Sequence, residues 1–173
     1  MESVKKFIRD IPDFPKKGIV FKDITPLLAD ASAFTKTINT LKERFSEKKV
    51  DRVVGVEARG FIFASALAYA LETGTTMVRK PGKLPYSTFQ ETYSLEYGTD
   101  TIEIHQDAFQ PGERIVLIDD VLATGGTLAA TLNLIRKNFQ SVEILEVAFL
   151  IELDFLSGRK KIKDVPIHSL IHF

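Results

Sequence analysis

The chain has 173 residues, no cysteine, and 23 basic against 23 acidic side chains, for a formal net charge of zero. That length suits one domain, 1–173, able to bury roughly 70% of its unfolded surface without disulfide staples. Zero net charge argues against a general nucleic-acid or membrane binder, and the lack of cysteine excludes a disulfide framework and a thiolate metal site. The opening MESVKKFIRDIPDF has neither the apolar run nor the small-residue cleavage pattern of a signal peptide, so a cytoplasmic location is expected.

Val4, Phe7, Ile8 and Ile11 fall at helical spacing and predict a short opening helix ended by Pro12. The stretch DFPKKGIVFKDITPLLAD is irregular, and its Ile19-Val20-Phe21 fits neither period. Phe34, Ile38, Leu41 and Phe45 mark a second helix, Val53 to Val56 a buried strand, and Phe61 to Leu71 an alanine-rich helix. Met77-Val78 suggests a strand, Ile115 to Asp119 a further one, Thr127 to Asn138 a helix and Ile144 to Ile151 another strand. Strands alternating with helices imply an α/β fold with a parallel sheet covered on both faces. The alternation breaks between Lys80 and Pro111, where two polar-apolar alternating runs flank Gly98-Thr99-Asp100 in a hairpin pattern. An insertion of this length in a compact domain is either functional or disordered.

The run from Ile115 to Thr127, IVLIDDVLATGGT, carries the chemistry. Four apolar residues lead to Asp119-Asp120, and adjacent acids repel and are costly to desolvate unless something binds there. In an open parallel sheet, ligands sit beyond the carboxyl ends of the strands. Gly125-Gly126 allow backbone N–H groups to converge, and the helix that follows adds the partial positive charge of its N-terminus, a combination that holds a phosphate. The acids then face hydroxyls or a hydrated metal, so a sugar phosphate satisfies both demands. No lysine follows the glycines, so this is not a nucleoside-triphosphate P-loop, and a mere polar turn explains neither both acids nor both threonines.

The same residues resemble the phosphoribosyl diphosphate motif of the type I phosphoribosyltransferases, and the resemblance spans almost the whole chain. It is closest to the members acting on adenine: Phe14-Pro15 with Gly18 to Ile24 resembles their base-binding segment, GVEARGF (55–61) the diphosphate loop, Arg79 to Pro85 the root of a mobile loop, and Ser94 to Gly98 the catalytic strand. It implies that family's fold with a β-hairpin hood, the reaction of adenine and 5-phosphoribosyl 1-diphosphate to AMP and diphosphate, Mg²⁺ as cofactor held mainly by the substrate, and a homodimer. By resemblance Asp119 and Asp120 take the ribose hydroxyls, Ala123, Thr124, Gly125, Gly126 and Thr127 the 5′-phosphate, and Arg59, Arg79, Lys80 and Lys83 the diphosphate. Arg59 is also a catalytic candidate. Val20, Phe21, Lys22 and Leu153 are expected at the base, and Glu96 as acid or base near N7, with Tyr97 lining the same place. The peptide joining Glu57 and Ala58 can be cis in such proteins.

Blander readings stand beside these roles. Surface cations are usually solvated, a phenylalanine is usually core, and a lone glutamate is usually exposed. His168 and His172 are four residues apart but lie in a β-branched segment with no third ligand nearby in sequence, so no protein metal site is expected there. Arg159, Lys160, Lys161 and Lys163 read as a solvated face. The rival functions are the same transfer to hypoxanthine, guanine or xanthine, and a non-catalytic regulator that senses phosphoribosyl diphosphate.

Overall fold

The computed structural model describes residues 1–94 and 98–173, so Glu96 and Tyr97 lie outside the described residues. Among the elements described, α1 is Glu2–Lys5, β1 Arg9–Pro12, β2 Val20–Asp23, α2 Thr25–Ala29, α3 Ala31–Phe45, β3 Arg52–Val56, α4 Gly60–Ala70, β4 Gly74–Val78, β5 Thr88–Ser94, β6 Thr99–His105, β7 Arg114–Leu122, α5 Gly126–Asn138, β8 Glu143–Glu152 and β9 Ile167–His172.

Five parallel strands in the order β4-β3-β7-β8-β9 make the central sheet. Ile115 to Ile118 of β7 and Val147 to Ile151 of β8 are buried on both faces, which is why these strands read as apolar runs rather than as alternations. On one face α3 and α4 contribute Leu41, Phe45, Phe63 and Leu67 to a core with Ile118 and Leu150. On the other, Leu128, Leu132 and Ile135 of α5 pack with Leu117, Val147 and Ile102 and Ile104 of β6. Each such side chain stabilises the fold by about 1.5–3 kcal/mol relative to exposure. Asp30 caps α3 by accepting the Ala33 N–H at 2.8 Å. At the other end of that helix, Arg44 and Lys48 each lie 2.5 Å from the buried carboxylate of Glu146 and pin α3 to β8.

The opening helix is shorter than expected. It ends at Lys5, and Arg9–Pro12 is a strand paired antiparallel with β2, Ile11 opposite Phe21. Arg9 pairs with Asp23 at 2.8 Å and Lys22 with Asp10 at 2.7 Å across this ribbon. The apparent helical spacing of Ile11 is overridden by a partner ten residues away. The hood is present as β5 paired with β6, but Thr99 and Asp100 already belong to β6, Asp100 opposite Tyr93.

Candidate active site

The site lies at the carboxyl ends of β3, β7 and β8. There β7 delivers Asp119 and Asp120, and the N-terminus of α4 crowds against the first of them. A Cβ added to Gly60 would stand 2.8 Å from Asp119 Oδ1 and 3.0 Å from the Ile118 carbonyl, so this approach requires glycine. Asp119 Oδ1 accepts the Asp120 N–H at 2.8 Å. Burial and then the neighbouring Asp120 charge push the Asp119 carboxyl well above its ordinary range; Asp120 is raised too, by burial that the nearby Arg59 charge only partly offsets. Arg59 Nη2 is 2.6 Å from Asp120 Oδ2, an ion pair whose angle does not make a hydrogen bond, so that buried oxygen keeps its acceptor capacity.

Beyond the acids, residues 123–127 bend into α5. Gly125 has φ +76° and forms the helix N-cap. A second glycine braces the turn from outside: Gly158 packs so closely that a Cβ on Gly125 would come 2.4 Å from the Gly158 carbonyl, and one on Gly158 would come 2.1 Å from the Ala123 carbonyl. The Tyr93 hydroxyl lies 3.1 Å from Thr127 Oγ1 and 3.1 Å from Asp100 Oδ2, tying the hood to the cradle.

Across the cleft, the Glu57 carboxylate accepts from Lys83 Nζ at 2.6 Å, the Lys80 N–H at 2.8 Å and Arg79 Nε at 3.2 Å. Burial alone would raise this carboxyl, but these donors together hold it down at about 2. The ammonium of Lys80 pairs with Asp100. One cleft of about 220 Å³ brings together Arg59, Arg79, Lys80, Asp119, Asp120 and Thr127. The Glu57-Ala58 peptide is cis. Tyr93, Asp100 and Gly158 carried no functional signal of their own in the sequence, because each matters only through a distant partner; Glu57 stands out there only as part of the GVEARGF segment, not as the acceptor for Arg79, Lys80 and Lys83.

Beside the acids, the Phe21 ring meets Phe14 edge-on at 5.2 Å, and the Arg59 guanidinium stands 4.7 Å from its centroid. Arg59 thus touches both Asp120 and the aromatic face of Phe21, and lines the same cleft as Glu57, Arg79 and Lys80. Val20 is exposed, and Pro12 opposite it has no N–H to give its carbonyl. Leu153 is half-buried, its N–H bonded to the Leu122 carbonyl at 3.0 Å. Lys22 alternates to the other face of β2 from Phe21, where it meets Asp10 and the Phe173 ring at 3.9 Å.

Two expectations about the C-terminal region need refinement. Arg159 is exposed, as expected, but it is not merely solvated: its guanidinium forks onto Glu152 at 2.9 and 2.6 Å. His172 does have acids nearby, with Nδ1 2.8 Å from Asp154 Oδ1 and one ligand atom each from Glu152, Asp154 and His172 within 4.8 Å of one another. Both Glu152 oxygens are already engaged by Arg159, and one also by Ser169. Among the described residues, no helix is long and apolar enough to cross a membrane.

A parallel sheet whose central strand ends in paired acids, followed by a glycine turn into a helix N-terminus, has the chemistry to suit a sugar phosphate, and comparison with known proteins gives the family. Residues 26–170 match the phosphoribosyl transferase domain, and the chain belongs to that family. It is 59% identical, over all 173 residues and the whole of the relative, to an adenine phosphoribosyltransferase of Syntrophotalea carbinolica, and 58% identical over the full length of both to that of Geobacter metallireducens. Its fold superimposes on the crystal structure of adenine phosphoribosyltransferase from Thermoanaerobacter pseudethanolicus with a TM-score of 0.94, at 51% identity over 99% of each chain. The Saccharomyces cerevisiae adenine phosphoribosyltransferase, solved with an imino-altritol bisphosphate and adenine, matches with a TM-score of 0.90 and 40% identity over 98% of this chain and 97% of that one.

Proposed function

We propose that the chain transfers the 5-phosphoribosyl group of 5-phosphoribosyl 1-diphosphate to adenine, releasing AMP and diphosphate in purine salvage. The observation that carries this reading is the Asp119-Asp120 pair running directly into the Gly125 cradle, in a chain that matches adenine phosphoribosyltransferases end to end. The bond from C1′ to the diphosphate oxygen breaks, N9 of adenine bonds to C1′, and the N9 proton leaves. Positive charge grows on the ribose ring as it does so, and the paired carboxylates beneath the hydroxyls stabilise it. The residue 123–127 cradle anchors the 5′-phosphate, while Arg59, Arg79, Lys80 and Lys83 receive the departing diphosphate.

Asp119 and Asp120 would also suit the water shell of a divalent cation, since Asp120 Oδ2 makes no hydrogen bond. Mg²⁺, held mainly by the substrate, would supply charge neutralisation of the diphosphate. Phe21 stacks on the base, the Val20 carbonyl accepts the six-amino group, Leu153 closes the other side, and Glu96 moves the proton. The loop after Arg79 closes over the site and excludes water. The protein works as a homodimer through the exposed side of α4.

The test is kcat/KM for adenine against hypoxanthine, guanine and xanthine. A carbonyl at Val20 meets the six-oxo group oxygen to oxygen, so adenine should be favoured by about 10⁴ or more. A ratio near one would overturn the base assignment. In the same assay Glu96→Gln should lower kcat by about 10²–10⁴.

A further inference from the structure

Residues 154–161 lie outside the cleft, yet they back the phosphate cradle. Gly158 makes backbone contact with both Ala123 and Gly125, at separations that leave no room for a Cβ on either glycine. The cradle's shape therefore depends on where Gly158 is held. Two 3₁₀ turns, Asp154–Leu156 and Gly158–Lys161, carry it, with Ser157 at φ +52° between them. Such short turns hold little shape on their own.

Arg159, next to Gly158, supplies the anchor. Its Nε and Nη2 grip the two oxygens of Glu152 at 2.9 and 2.6 Å, and Nη1 donates to the Ile167 carbonyl at 3.0 Å. Glu152 ends β8, is almost fully buried and accepts the hydroxyl of Ser169 on β9 at 2.6 Å, so the fork is fastened to two adjacent strands of the sheet at once. A bidentate fork of this kind fixes orientation as well as distance, which an ammonium cannot do.

We propose that Arg159 is a positioning residue for the 5′-phosphate: fixed on Glu152, it holds Gly158 against Ala123–Gly125 and so keeps the cradle's N–H groups converged, without touching substrate. This rests on the reading of residues 123–127 as the phosphate cradle. Its strength also explains why Glu152 stays ionised, its carboxyl lowered chiefly by the Arg159 hydrogen bonds against the opposing effect of burial.

The experiment is isothermal titration of the full-length protein with ribose 5-phosphate and, separately, with inorganic diphosphate plus Mg²⁺. Arg159→Gln and the milder Arg159→Lys are compared with Gly125→Val, each first checked for native circular dichroism. Arg159→Gln should weaken ribose 5-phosphate about tenfold while leaving diphosphate within about twofold, and Arg159→Lys should fall between it and the unmodified protein. The KM for phosphoribosyl diphosphate should rise correspondingly with kcat little changed. Equal losses for both ligands, or none for ribose 5-phosphate, in the folded Arg159→Lys variant would overturn the proposal. If Gly125→Val also left ribose 5-phosphate affinity intact, the cradle reading itself would be wrong; a loss in Gly125→Val alone would refute only the role of Arg159.

Discussion

At the scale of single residues, Asp119 shows a conflict between stability and use. Its carboxyl is raised by burial and by Asp120, so the folded state holds a proton that the unfolded chain has released. Stability therefore falls as pH climbs from the ordinary value of 3.8 through the raised folded value, and stays lowered above it. Asp119→Asn keeps an acceptor for the Asp120 N–H and removes the charge. We expect it to raise Tm at neutral pH, by about 2–4 °C per kcal/mol of relieved repulsion, and to abolish transfer. The gain should disappear below about pH 4, where both proteins are uncharged at this position; calorimetry across pH checks it, and an unchanged or lower Tm at pH 7 would contradict the assignment. These acids were legible in the sequence because the whole cradle is written in thirteen consecutive residues, strand, acids, glycines and helix start together.

Among elements, Glu57 has the opposite sign. This carboxylate joins the β3–α4 loop to the strand-end residue Arg79 and to Lys83 beyond it. Held at about 2 in the folded protein against 4.5 ordinarily, it contributes stability that is fully present above about pH 4.5 and is lost as pH falls through 2. With its partners partly in solvent, the contribution is at most about 3 kcal/mol and is reduced by screening. Urea unfolding of Glu57→Gln against the unmodified protein should show a gap that is constant above pH 5 and closes toward pH 2; a gap independent of pH would refute it. Elements whose meaning is non-local were the ones sequence misread. Ile11 shares helical spacing with Val4, Phe7 and Ile8, yet its register is set by Phe21. Arg159 sits in a run of cations, and only the folded end of β8 shows that a buried acid awaits it. Val53 to Val56 and Ile115 to Asp119 were legible because burial on both faces leaves an unbroken apolar run.

For the whole molecule, α4 poses a question that one subunit does not answer. Its sequence GFIFASALAYA is apolar nearly all round, which is the pattern of a helix covered on every side, yet Ile62 is 41% and Tyr69 88% exposed, and Met77 of the neighbouring edge strand β4 is 45% exposed. A second copy covering this face accounts for all three. Light scattering should give a mass near twice 19.4 kDa, and Ile62→Asp with Tyr69→Asp should give the monomer; a monomeric unmodified protein would remove the homodimer. The molecule's neutrality also has a local counterpart. Each cation in or beside the cleft that is expected at the diphosphate already has an internal counter-anion: Arg59 has Asp120, Arg79 and Lys83 share Glu57, and Lys80 has Asp100. An incoming anion must therefore win an exchange at several places at once. Chloride or orthophosphate, able to satisfy one or two of these cations, gains little by displacing tethered carboxylates, whereas the diphosphate of the proposed function offers oxygens to several of them together. On that reading the expectation is that small abundant anions compete poorly for the cleft, held off by carboxylates within its own walls.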